Sequence, residues 1–478
     1  MRIEFLLALI PAALLIRLLA KTRGYRDLIS LVSIVLIYVL QPEIPVRYLS
    51  FWLPTVTIVL IILSWLLVSR EEDRNSVAAI RFMHGTGLVI LLLGAFRYID
   101  LDGITLISRP PQISMILVGL AVAGVLGLHL ARLSVGKEKV AATYVAIVLI
   151  FVIFIVLKNQ ALTSFASQIL RGGAGQSMTL SGSVDIRWFG FSYIAFRLVH
   201  TLRDFQKKRL PDVSLQTYFN YVLFFPTLSA GPIDRLEHFI KDHDSIIQKQ
   251  GLTEDLLSGG KRLALGFFKK FFVADSLAII ALNSTNITQV RSAGWLWVLL
   301  YAYAFQIYFD FSGYSDIAIG LGKIMGINIP ENFNHPYLKP NITQFWNNWH
   351  MTLTQWVRTY LFNPLTRSLR TSRFKNMPVL IMFIGQLATM TFIGLWHGIS
   401  INFLIWGLWH GLGLFLQNRW SNRFHGIGGL ITGRLSAKIL RGLSIFITFN
   451  YVSIGWIWFA LPNPEDSLTV LGKLFGWS

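Results

Sequence analysis

The sequence predicts an all-α polytopic membrane protein, and three observations support that fold class. Hydrophobic residues make up 54% of the 478 residues and charged residues only 14%, whereas soluble domains average about 25% charged residues. The mean hydropathy is +0.55. Apolar runs near the ~20-residue length that spans a bilayer recur along the chain, at about 3–20, 28–40, 49–68, 76–96, 112–131, 141–157, 186–200, 215–231, 263–282, 295–309, 378–396, 401–417 and 443–461.

The first of these runs is similar to a signal peptide in its apolar core. It lacks a convincing small-residue cleavage site, because Leu18-Leu19-Ala20-Lys21 leads directly into further basic residues. We therefore expect a retained helix.

The chain is strongly basic, with a formal net charge of +19. In a soluble protein this charge would indicate nucleic-acid binding. In an apolar chain, Lys and Arg are expected to anchor cytoplasmic loops beside anionic lipids, so we expect the lipid bilayer and no nucleic acid among the partners. The absence of cysteine excludes disulfides, thiolate catalysis and cysteine-ligated metals.

The distribution of basic residues predicts a topology. Among the first seven runs, the loops that follow odd-numbered runs carry most of the Lys and Arg residues, as in Arg203–Arg209 after the seventh run. Such loops face the cytoplasm, which makes the N-terminus extracytoplasmic. The Gly/Ser-rich stretch 158–185 would then lie outside and is expected to be a flexible loop.

Composition divides the chain near residue 185. Residues 1–185 are plain hydrophobic runs and are expected to be transmembrane scaffold helices, in which the lone His84 is expected to be a packed residue. Residues 186–461 are richer in aromatic residues and interrupted by Asn, His, Asp and Pro. Irregular polar sequence at membrane depth is tolerated only within protein or beside a water-filled cavity. We therefore predict that 186–461 is the core that holds the site, followed by a C-terminal tail, 462–478.

A proline-bracketed segment, Phe224–Arg235, closes the eighth run. Pro226 and Pro232 enclose small residues there. This segment cannot continue a helix and is expected to bend or re-enter the membrane. A simple helix stop near the interface is the alternative that composition alone favours.

Two carboxylates lie against an apolar run in the segment Tyr308–Gly322. In a helix, Asp310 is expected to pair with Tyr314, and Ser312 with Asp316, at i+4 spacing. A carboxylate here is a candidate for orienting a catalytic group. The alternative is an interfacial carboxylate beside a packing seam.

Small residues recur along the same segment at Ala318, Gly322 and Gly326. A stripe of small residues lets a second helix approach closely. We expect this stripe to be structural.

Aromatic rings and hydrogen-bonding groups alternate over five residues, in the order Trp346, Asn347, Asn348, Trp349 and His350. Thr343 is expected to cap a helix that carries the two tryptophans and His350. An interfacial aromatic belt is the alternative for the tryptophans. An ionisable group at membrane depth is costly, so His350 is a functional candidate.

A second histidine motif, Gly394-Leu395-Trp396-His397-Gly398, is echoed by Trp409-His410-Gly411. On a continuous helix, the intervening residues place His410 about 220° around and about 20 Å along from His397. The two histidines cannot share one site unless the helix breaks, which Gly398 and the following polar residues make possible. Spacing alone leaves His397 and His410 as near-equal candidates.

The chemistry that these residues allow is narrow. The sequence has no convincing metal motif, no Gly-x-Ser-x-Gly nucleophile elbow and no Walker or dinucleotide fingerprint. A buried neutral histidine can take a proton from a hydroxyl as its oxygen attacks an acyl carbonyl, and nearby Asn and Trp N–H groups can support the oxyanion. A transporter or channel whose histidines line a permeation path fits equally well.

Several segments resemble the membrane-bound O-acyltransferase (MBOAT) family. The motifs occur in order between about Trp188 and about Phe459. They are similar to the bacterial polysaccharide-modifying branch, which includes the alginate O-acetyltransferase membrane subunit and the teichoic-acid D-alanyl transfer protein. The matching segments are Leu228–Pro232, Tyr308–Gly320, Glu331–Phe333, Phe345-Trp346, Trp349–Leu353 and Gly394–Gly398.

This resemblance implies an MBOAT-like helical bundle with a central tunnel and re-entrant or broken helices. It implies that His397 and His350 are catalytic, and it thereby selects His397 over His410. The acyl group would arrive on a cytoplasmic donor, acetyl-CoA or an acylated carrier protein, with no bound cofactor and no metal. We expect substrate-binding or supporting roles for Trp346, Asn347, Trp349, Asp310, Ser312, Tyr314, Asp316, Trp396 and Asn402.

The chain departs from the family pattern in two places. After Arg358–Leu361, alginate-type proteins usually have a Gly-Gly-Asn-Arg-like turn, whereas this chain continues with Phe362–Arg367 and is closer to the D-alanyl-transfer type. The N-terminal half is also longer than in either relative, by about two helices. Both departures leave the acceptor unassigned.

These observations predict a multi-pass O-acyltransferase of the bacterial inner membrane. It would move an acyl group, acetyl or D-alanyl, to a hydroxyl of an extracytoplasmic polysaccharide or cell-envelope polymer. A separate periplasmic transferase is a candidate partner for the final step. The alternative is a non-enzymatic transporter or acyl-translocating subunit on the same fold.

Overall fold

The protein is helical throughout the part that the structure describes. The structure is a computed structural model, and it describes residues 3–21, 24–99, 110–133, 137–246, 251–423 and 434–477. Within these ranges the secondary structure is α-helix with short 3-10 and π-helical stretches and no β-strand. Contacts within the chain divide it into two compact units. The first unit consists of Met1–Gly260 and Gly320–Ile329, and the second of Lys261–Ile319 and Pro330–Ser478.

The first unit contains the N-terminal helices. They are α1 (Ile3–Leu18), α2 (Gly24–Val39), α3 (Leu49–Val68), α4 (Glu71–Arg74), α5 (Val77–Ala95), α6 (Ile113–Arg132), α7 (Lys137–Lys158), α8 (Gln160–Gly173), α9 (Phe191–Gln206), α10 (Leu215–Val222) and α11 (Leu236–Ser245). Two further helices, α12 (Leu252–Phe267) and, later in the chain, Ala293–Met325, contribute residues to both units.

The second unit contains the remaining helices. They are α13 (Asp275–Ile280), α14 (Asn286–Gln289), α15 (Ala293–Met325), α16 (Ile342–Trp346), α17 (Met351–Val357), α18 (Asn363–Arg370), α19 (Pro378–His397), α20 (Ile401–Arg423), α21 (Arg434–Ala460) and α22 (Pro464–Leu474). Two π-helical stretches, Phe268–Ala274 and Arg358–Phe362, precede α13 and α18.

The predicted all-α polytopic fold class is confirmed. Six helical stretches of the described residues are long and apolar enough to cross a membrane: Leu49–Val68, Val77–Tyr98, Ile113–Arg132, Lys137–Lys158, Pro378–His397 and Lys438–Ala460. Each coincides with an apolar run of the sequence. The predicted division at residue 185 into scaffold and catalytic parts differs from the contact boundary near residue 260 and, as a statement about function, stays a prediction.

The stretch 158–185 was expected to be a flexible loop, and that expectation is wrong for half of it. Helix α8 occupies Gln160–Gly173. Its buried side is polar, because the Ser167 hydroxyl donates to Asp185 Oδ2 over 2.6 Å and Arg171 Nε donates to the same oxygen over 3.0 Å. Its apolar Phe165 and Ile169 are exposed instead. The apolar residues of α8 recur at helical spacing but lie on its exposed side, while the buried side carries the ion pair of Arg171 and Asp185.

The break predicted after the eighth run is present. Helix α10 ends at Val222 and a 3-10 turn follows at Phe225–Thr227. The fully buried Arg197 of α9 stabilises the break by donating to the carbonyl oxygens of Val222 (2.8 Å) and Thr227 (3.1 Å). Carbonyls released at the end of a helix need such partners when no water reaches them.

The close approach expected along α15 uses different glycines from those predicted. Within the second unit, Gly266 of α12 lies against Gly313 and Ile317 of α15. Gly326 instead ends α15, with a φ of +87° that glycine adopts without steric cost. Gly326 of the predicted stripe therefore lies just after the end of the helix, and the contact with α12 involves Gly313 instead.

Replacing Gly266 by Ala is expected to destabilise the protein, because the added Cβ would lie 2.7 Å from the Gly313 carbonyl oxygen. Overpacking of this kind costs about 1–3 kcal/mol. Gly260→Ala is the matched control in the same helix, since a Cβ there meets nothing within 4 Å. Thermal unfolding of the two variants in one detergent measures the difference, and equal melting temperatures would contradict the close contact.

Candidate active site

His350 lies at a break in the chain, between α16 and α17. Its φ of +44° and ψ of +52° place it in the left-handed region, directly before Met351 begins α17. The sequence-based expectation of one helix capped by Thr343 and carrying His350 is wrong. The N-cap is Asn341, whose side chain accepts from the Gln344 N–H, and α16 ends at Trp346.

The Asn332 amide holds His350 in place. Its Oδ1 accepts hydrogen bonds from His350 Nδ1 (3.1 Å), from the Thr352 N–H (3.3 Å) and from the Thr352 hydroxyl (2.9 Å). Its Nδ2 donates to the Ser315 hydroxyl of α15 over 3.2 Å. Because an amide oxygen only accepts, Nδ1 of His350 carries the hydrogen and Nε2 carries the lone pair.

The Nε2 atom of His350 is therefore an acceptor in an enclosed space. The residue is 2% exposed, and Nε2 has no hydrogen-bond partner among the described residues. Burial lowers the pKa of His350 to about 3, because the charged imidazolium would lose its hydration. His350 is consequently a neutral imidazole near neutral pH, with its lone pair on the buried Nε2.

His397 is the last residue of α19, at a sharp connection to α20. Gly398 is extended, and α20 begins at Ile401. The two helices form a tight hairpin in which Gly407 of α20 lies against the Met390 backbone of α19. The His397 ring lies among aromatic rings, with centroid distances of 4.6 Å to Trp396, 4.7 Å to Phe459 and 5.7 Å to Trp406.

The two predicted catalytic histidines share one neighbour. The Trp396 ring lies 6.1 Å from His350 and 4.6 Å from His397, measured between centroids. The two imidazoles are therefore separated by no more than the sum of these distances. Phe311 of α15 packs edge-on against His350 at 4.6 Å. The fold thus brings together two residues 47 positions apart in sequence.

His410 also lies in this aromatic cluster. The helix break that spacing required is present, since Gly398–Ser400 separates α19 from α20. The His410 ring is fully buried and lies 4.9 Å from Trp406 and 5.2 Å from Trp346. Trp406 therefore contacts both His397 and His410. A continuous helix would have kept the two histidines apart, but the break places both in the same aromatic cluster.

The predicted aromatic and amide residues divide into two groups. Trp346 and Trp349 are buried in the same cluster, with Trp349 5.2 Å from the Trp456 ring of α21. Asn347 is exposed and accepts a hydrogen bond of 2.6 Å from Arg358. Asn402 is buried but donates to the Leu461 carbonyl over 2.6 Å, so its amide joins α20 to the end of α21.

The predicted carboxylates of α15 bind basic residues of α12 and its π-helical continuation. Asp316 accepts from Arg262 Nε (2.6 Å) and Lys269 Nζ (2.7 Å). Asp310 pairs with Lys270. The expected pairing of Ser312 with Asp316 is wrong, because the buried Ser312 hydroxyl has no hydrogen-bond partner in the described part of the chain.

Tyr314 is buried on the same helix. The described residues contain no cluster of three or more metal-ligating side chains of the His, Cys, Asp and Glu types.

Two residues to which the sequence analysis gave no role are central to the geometry. Asn332 orients His350, and Arg262 binds Asp316 and Glu331. Asn332 lies within the Glu331–Phe333 motif, so a signal for it was present.

Comparison with known proteins gives a consistent result. A family model described as MBOAT, membrane-bound O-acyltransferase family, matches residues 137–428. The teichoic acid D-alanyltransferase of Bacillus subtilis is 31% identical over 58% of this chain and 69% of its own length. The probable alginate O-acetylase of Pseudomonas aeruginosa is 36% identical over 60% of this chain and 51% of its own length.

A peptidoglycan O-acetyltransferase from Helicobacter pylori is 33% identical over 55% of this chain and 48% of its own length. The chain therefore spans about half the length of these acetylating relatives and over two thirds of the D-alanylating one. The similarity does not extend over the whole chain or over the whole of any of these relatives.

Replacing Asn332 by Ala is expected to destabilise the protein, because it removes the acceptor of the buried Nδ1–H of His350 and the donor to the Ser315 hydroxyl. Each buried polar group left unsatisfied costs about 1–3 kcal/mol. Asn347→Ala is the control, since it removes an exposed amide with one hydrogen bond. Thermal unfolding is the measurement, and a loss no larger than that of the control would refute the central role of Asn332.

Proposed function

The chain belongs to the membrane-bound O-acyltransferase family, and from this premise we propose that it moves an acyl group from a cytoplasmic donor to a hydroxyl of an extracytoplasmic polysaccharide or cell-envelope polymer. The observation that supports the proposal is the contact of both His350 and His397 with the Trp396 ring. The names of the relatives support polymer-modifying acetyl or D-alanyl transfer.

In this mechanism His397 is the general base, assisted by His350. His397 takes the proton of the acceptor hydroxyl as that oxygen bonds to the acyl carbonyl carbon. The bond between that carbon and the donor sulfur then breaks, and the proton passes from His397 to the leaving thiolate. His397 is only partly buried and so is accessible to an acceptor, whereas the enclosed His350 Nε2 accepts a hydrogen bond and orients the reacting group.

The charges at the helix ends support the direction of transfer. Basic residues cluster at one end of the α19, α20 and α21 helices: Arg370, Arg373 and Lys375 before α19, Arg419 and Arg423 at the end of α20, and Lys438 and Arg441 in α21. The connection from His397 to Ile401 contains no basic residue apart from His397 itself. The positive-inside tendency favours the basic ends as cytoplasmic and His397 as extracytoplasmic, in a bacterial inner membrane.

The donor is a cytoplasmic acyl thioester, acetyl-CoA or an acylated carrier protein. In this scheme the thioester approaches from the basic ends of the helices and the polymer hydroxyl from the His397 side. The acyl group is acetyl or D-alanyl, and a periplasmic transferase is the partner that would take over the acyl group if the polymer itself does not reach His397.

Replacing either histidine by Ala is expected to lower acceptor acylation by about 10²–10⁴-fold, the usual contribution of a positioned acid–base group. His84→Ala, in α5 of the first unit, is the matched control and should leave acylation unchanged. Mass spectrometry of cell-envelope glycans, with membrane protein levels measured in parallel, gives the result. Full acylation in both histidine variants would exclude this mechanism and leave the translocating alternative.

Replacing Asn332 by Asp is expected to change the pH dependence of the reaction. A carboxylate beside Nδ1 favours the imidazolium and raises the pKa of His350 from about 3. Because protonated His350 has no lone pair at Nε2, the variant should lose activity at a higher pH than the original protein as the pH falls.

Initial rates per mole of folded protein between about pH 5 and pH 8 measure this shift. Superimposable normalised pH profiles for the two proteins would contradict a neutral His350 in the mechanism.

A further inference from the structure

A cleft of about 660 Å³ lies in the first unit, between α3, α5 and α6. Each of these helices belongs to a stretch that is long and apolar enough to cross a membrane, and all three precede residue 137, where the family match begins. We propose that this cleft binds an acyl chain of an anionic phospholipid, whose phosphate is held at the buried Arg74. The site does not depend on the proposed acyl transfer.

Glycines of two helices keep the cleft open. Gly87 of α5 and Gly124 of α6 both line it, and a Cβ at either position would meet no atom of the described residues within 4 Å. Small residues on neighbouring helices usually permit close packing. That is the case at Gly127 of α6, where a Cβ would lie 3.4 Å from Leu66. At Gly87 and Gly124 the protein itself does not fill the space, so an acyl chain has room to enter.

The wall of the cleft is apolar and about as long as one membrane leaflet is thick. Along α6 the lining runs from Leu120 to Ala131, which is about 16 Å at ~1.5 Å per residue. The hydrocarbon core of a bilayer is about 30 Å thick, so each leaflet contributes about 15 Å. The aliphatic side chains that α3 and α5 contribute include Ile62, Leu63, Met83 and Leu91. An extended acyl chain matches the length and the chemistry of this surface.

One end of the cleft has buried positive charge. Arg74 lines this end, is only 6% exposed, and donates to the carbonyl oxygens of Ala131 and, over 3.3 Å, of Arg70. Lys139 of α7 is 1% exposed and donates to the Ser69 carbonyl over 3.0 Å. Both cations are therefore fixed to the two-residue connection between α3 and α4.

Neither of these cations forms an ion pair with a carboxylate of the described residues. The acidic segment Glu71–Asp73 lies directly before Arg74 in sequence, and the exposed Arg70 does pair with Asp212 over 2.6 Å. A buried charge is costly unless a counter-charge accompanies it. A phosphate would supply that counter-charge, and a guanidinium group is well suited to bind it.

The position of the charged end favours the cytoplasmic leaflet. Arg70 and Arg74 follow the third apolar run, in one of the odd-numbered loops that the positive-inside tendency favours as cytoplasmic. Anionic phospholipids give this leaflet its negative surface potential. The occupant to which we assign the cleft is therefore an anionic phospholipid of the cytoplasmic leaflet, and phosphatidylglycerol is the probe.

The first test fills the cleft. Gly87→Leu adds a side chain inside it, and Gly85→Leu is the matched control, since Gly85 lies on the same helix, does not line the cleft and also leaves a Cβ free of contacts within 4 Å. The full-length protein is purified in a non-ionic detergent, and retention of added phosphatidylglycerol is measured by native mass spectrometry. We expect Gly87→Leu to bind the lipid about tenfold more weakly than the control. Equal binding by the two variants would overturn the proposal.

The second test removes the charge. Arg74→Gln keeps a donor for the carbonyl oxygens, and Arg70→Gln is the control that removes an exposed charge from the same segment. Phosphatidylglycerol is compared with phosphatidylcholine of identical acyl chains, which has a phosphate but no net charge. We expect the original protein and the control to prefer phosphatidylglycerol, and Arg74→Gln to lose about fivefold or more of this preference.

Two results would contradict the charged end of the site: no preference in the original protein, or an equal loss of preference in both variants. Lys139→Gln is the second charge variant and should lower the preference in the same direction if Arg74→Gln does not yield folded protein.

A polyprenyl phosphate is the competing lipid that has a phosphate. If it displaces phosphatidylglycerol from the original protein at equal concentration, the cleft is a site for a lipid carrier and the phospholipid assignment is wrong. The measurement does not require acyl transfer. His350→Ala and His397→Ala should therefore retain phosphatidylglycerol as the original protein does, whether or not these variants acylate.

Discussion

The hydrogen bonds of the Asn332 amide are the interaction on which the polar centre of the second unit depends. One oxygen binds both His350 and Thr352, and the amide nitrogen reaches Ser315 on α15. In an interior that contains so many aromatic rings, few alternative partners are available to these groups. The amide therefore decides the position and the tautomer of the imidazole together, and hence which nitrogen faces the reacting groups.

Much of the helical framework could be predicted from the sequence, because apolar runs of membrane-spanning length depend only on local composition. Two helices are exceptions. Helix α15 continues to Met325, beyond the apolar run that ends near residue 309, and there Asp310 and Asp316 are paired with basic residues 40 or more positions away. Long-range pairing of charges is not readable from local hydropathy. Helix α8 was missed because the expectation of a loop rested on the Gly- and Ser-rich composition of 158–185, although the apolar residues of α8 recur at helical spacing.

The candidate histidines could be identified from their motifs, and their catalytic roles stay predictions, whereas the geometry around them could not be predicted. The motif around each histidine pointed to His350 and His397, and the fold brings both to the Trp396 ring. The expected cap at Thr343 was wrong because Asn341, two residues earlier, satisfies the first turn of α16. Helical geometry set His410 apart from His397, yet a break of three residues was enough to bring it into the same aromatic cluster. Such breaks change the geometry completely while changing the composition very little.

The hairpin of α19 and α20 has a consequence for the order in which the site is assembled. Its helices are adjacent in sequence and touch through Gly407 and the Met390 backbone, so its contacts are local and involve little loop-closure entropy. The contacts of His397 with Trp396 and Trp406 are thus expected to form early, whereas its contact with Phe459 needs α21, which is synthesised later. The contact of His350 with Phe311 and the link from Asn332 to Ser315 require α15, which is synthesised earlier. The two candidate catalytic histidines therefore depend on different helix contacts, and the aromatic cluster around His397 is complete only when α21 has packed.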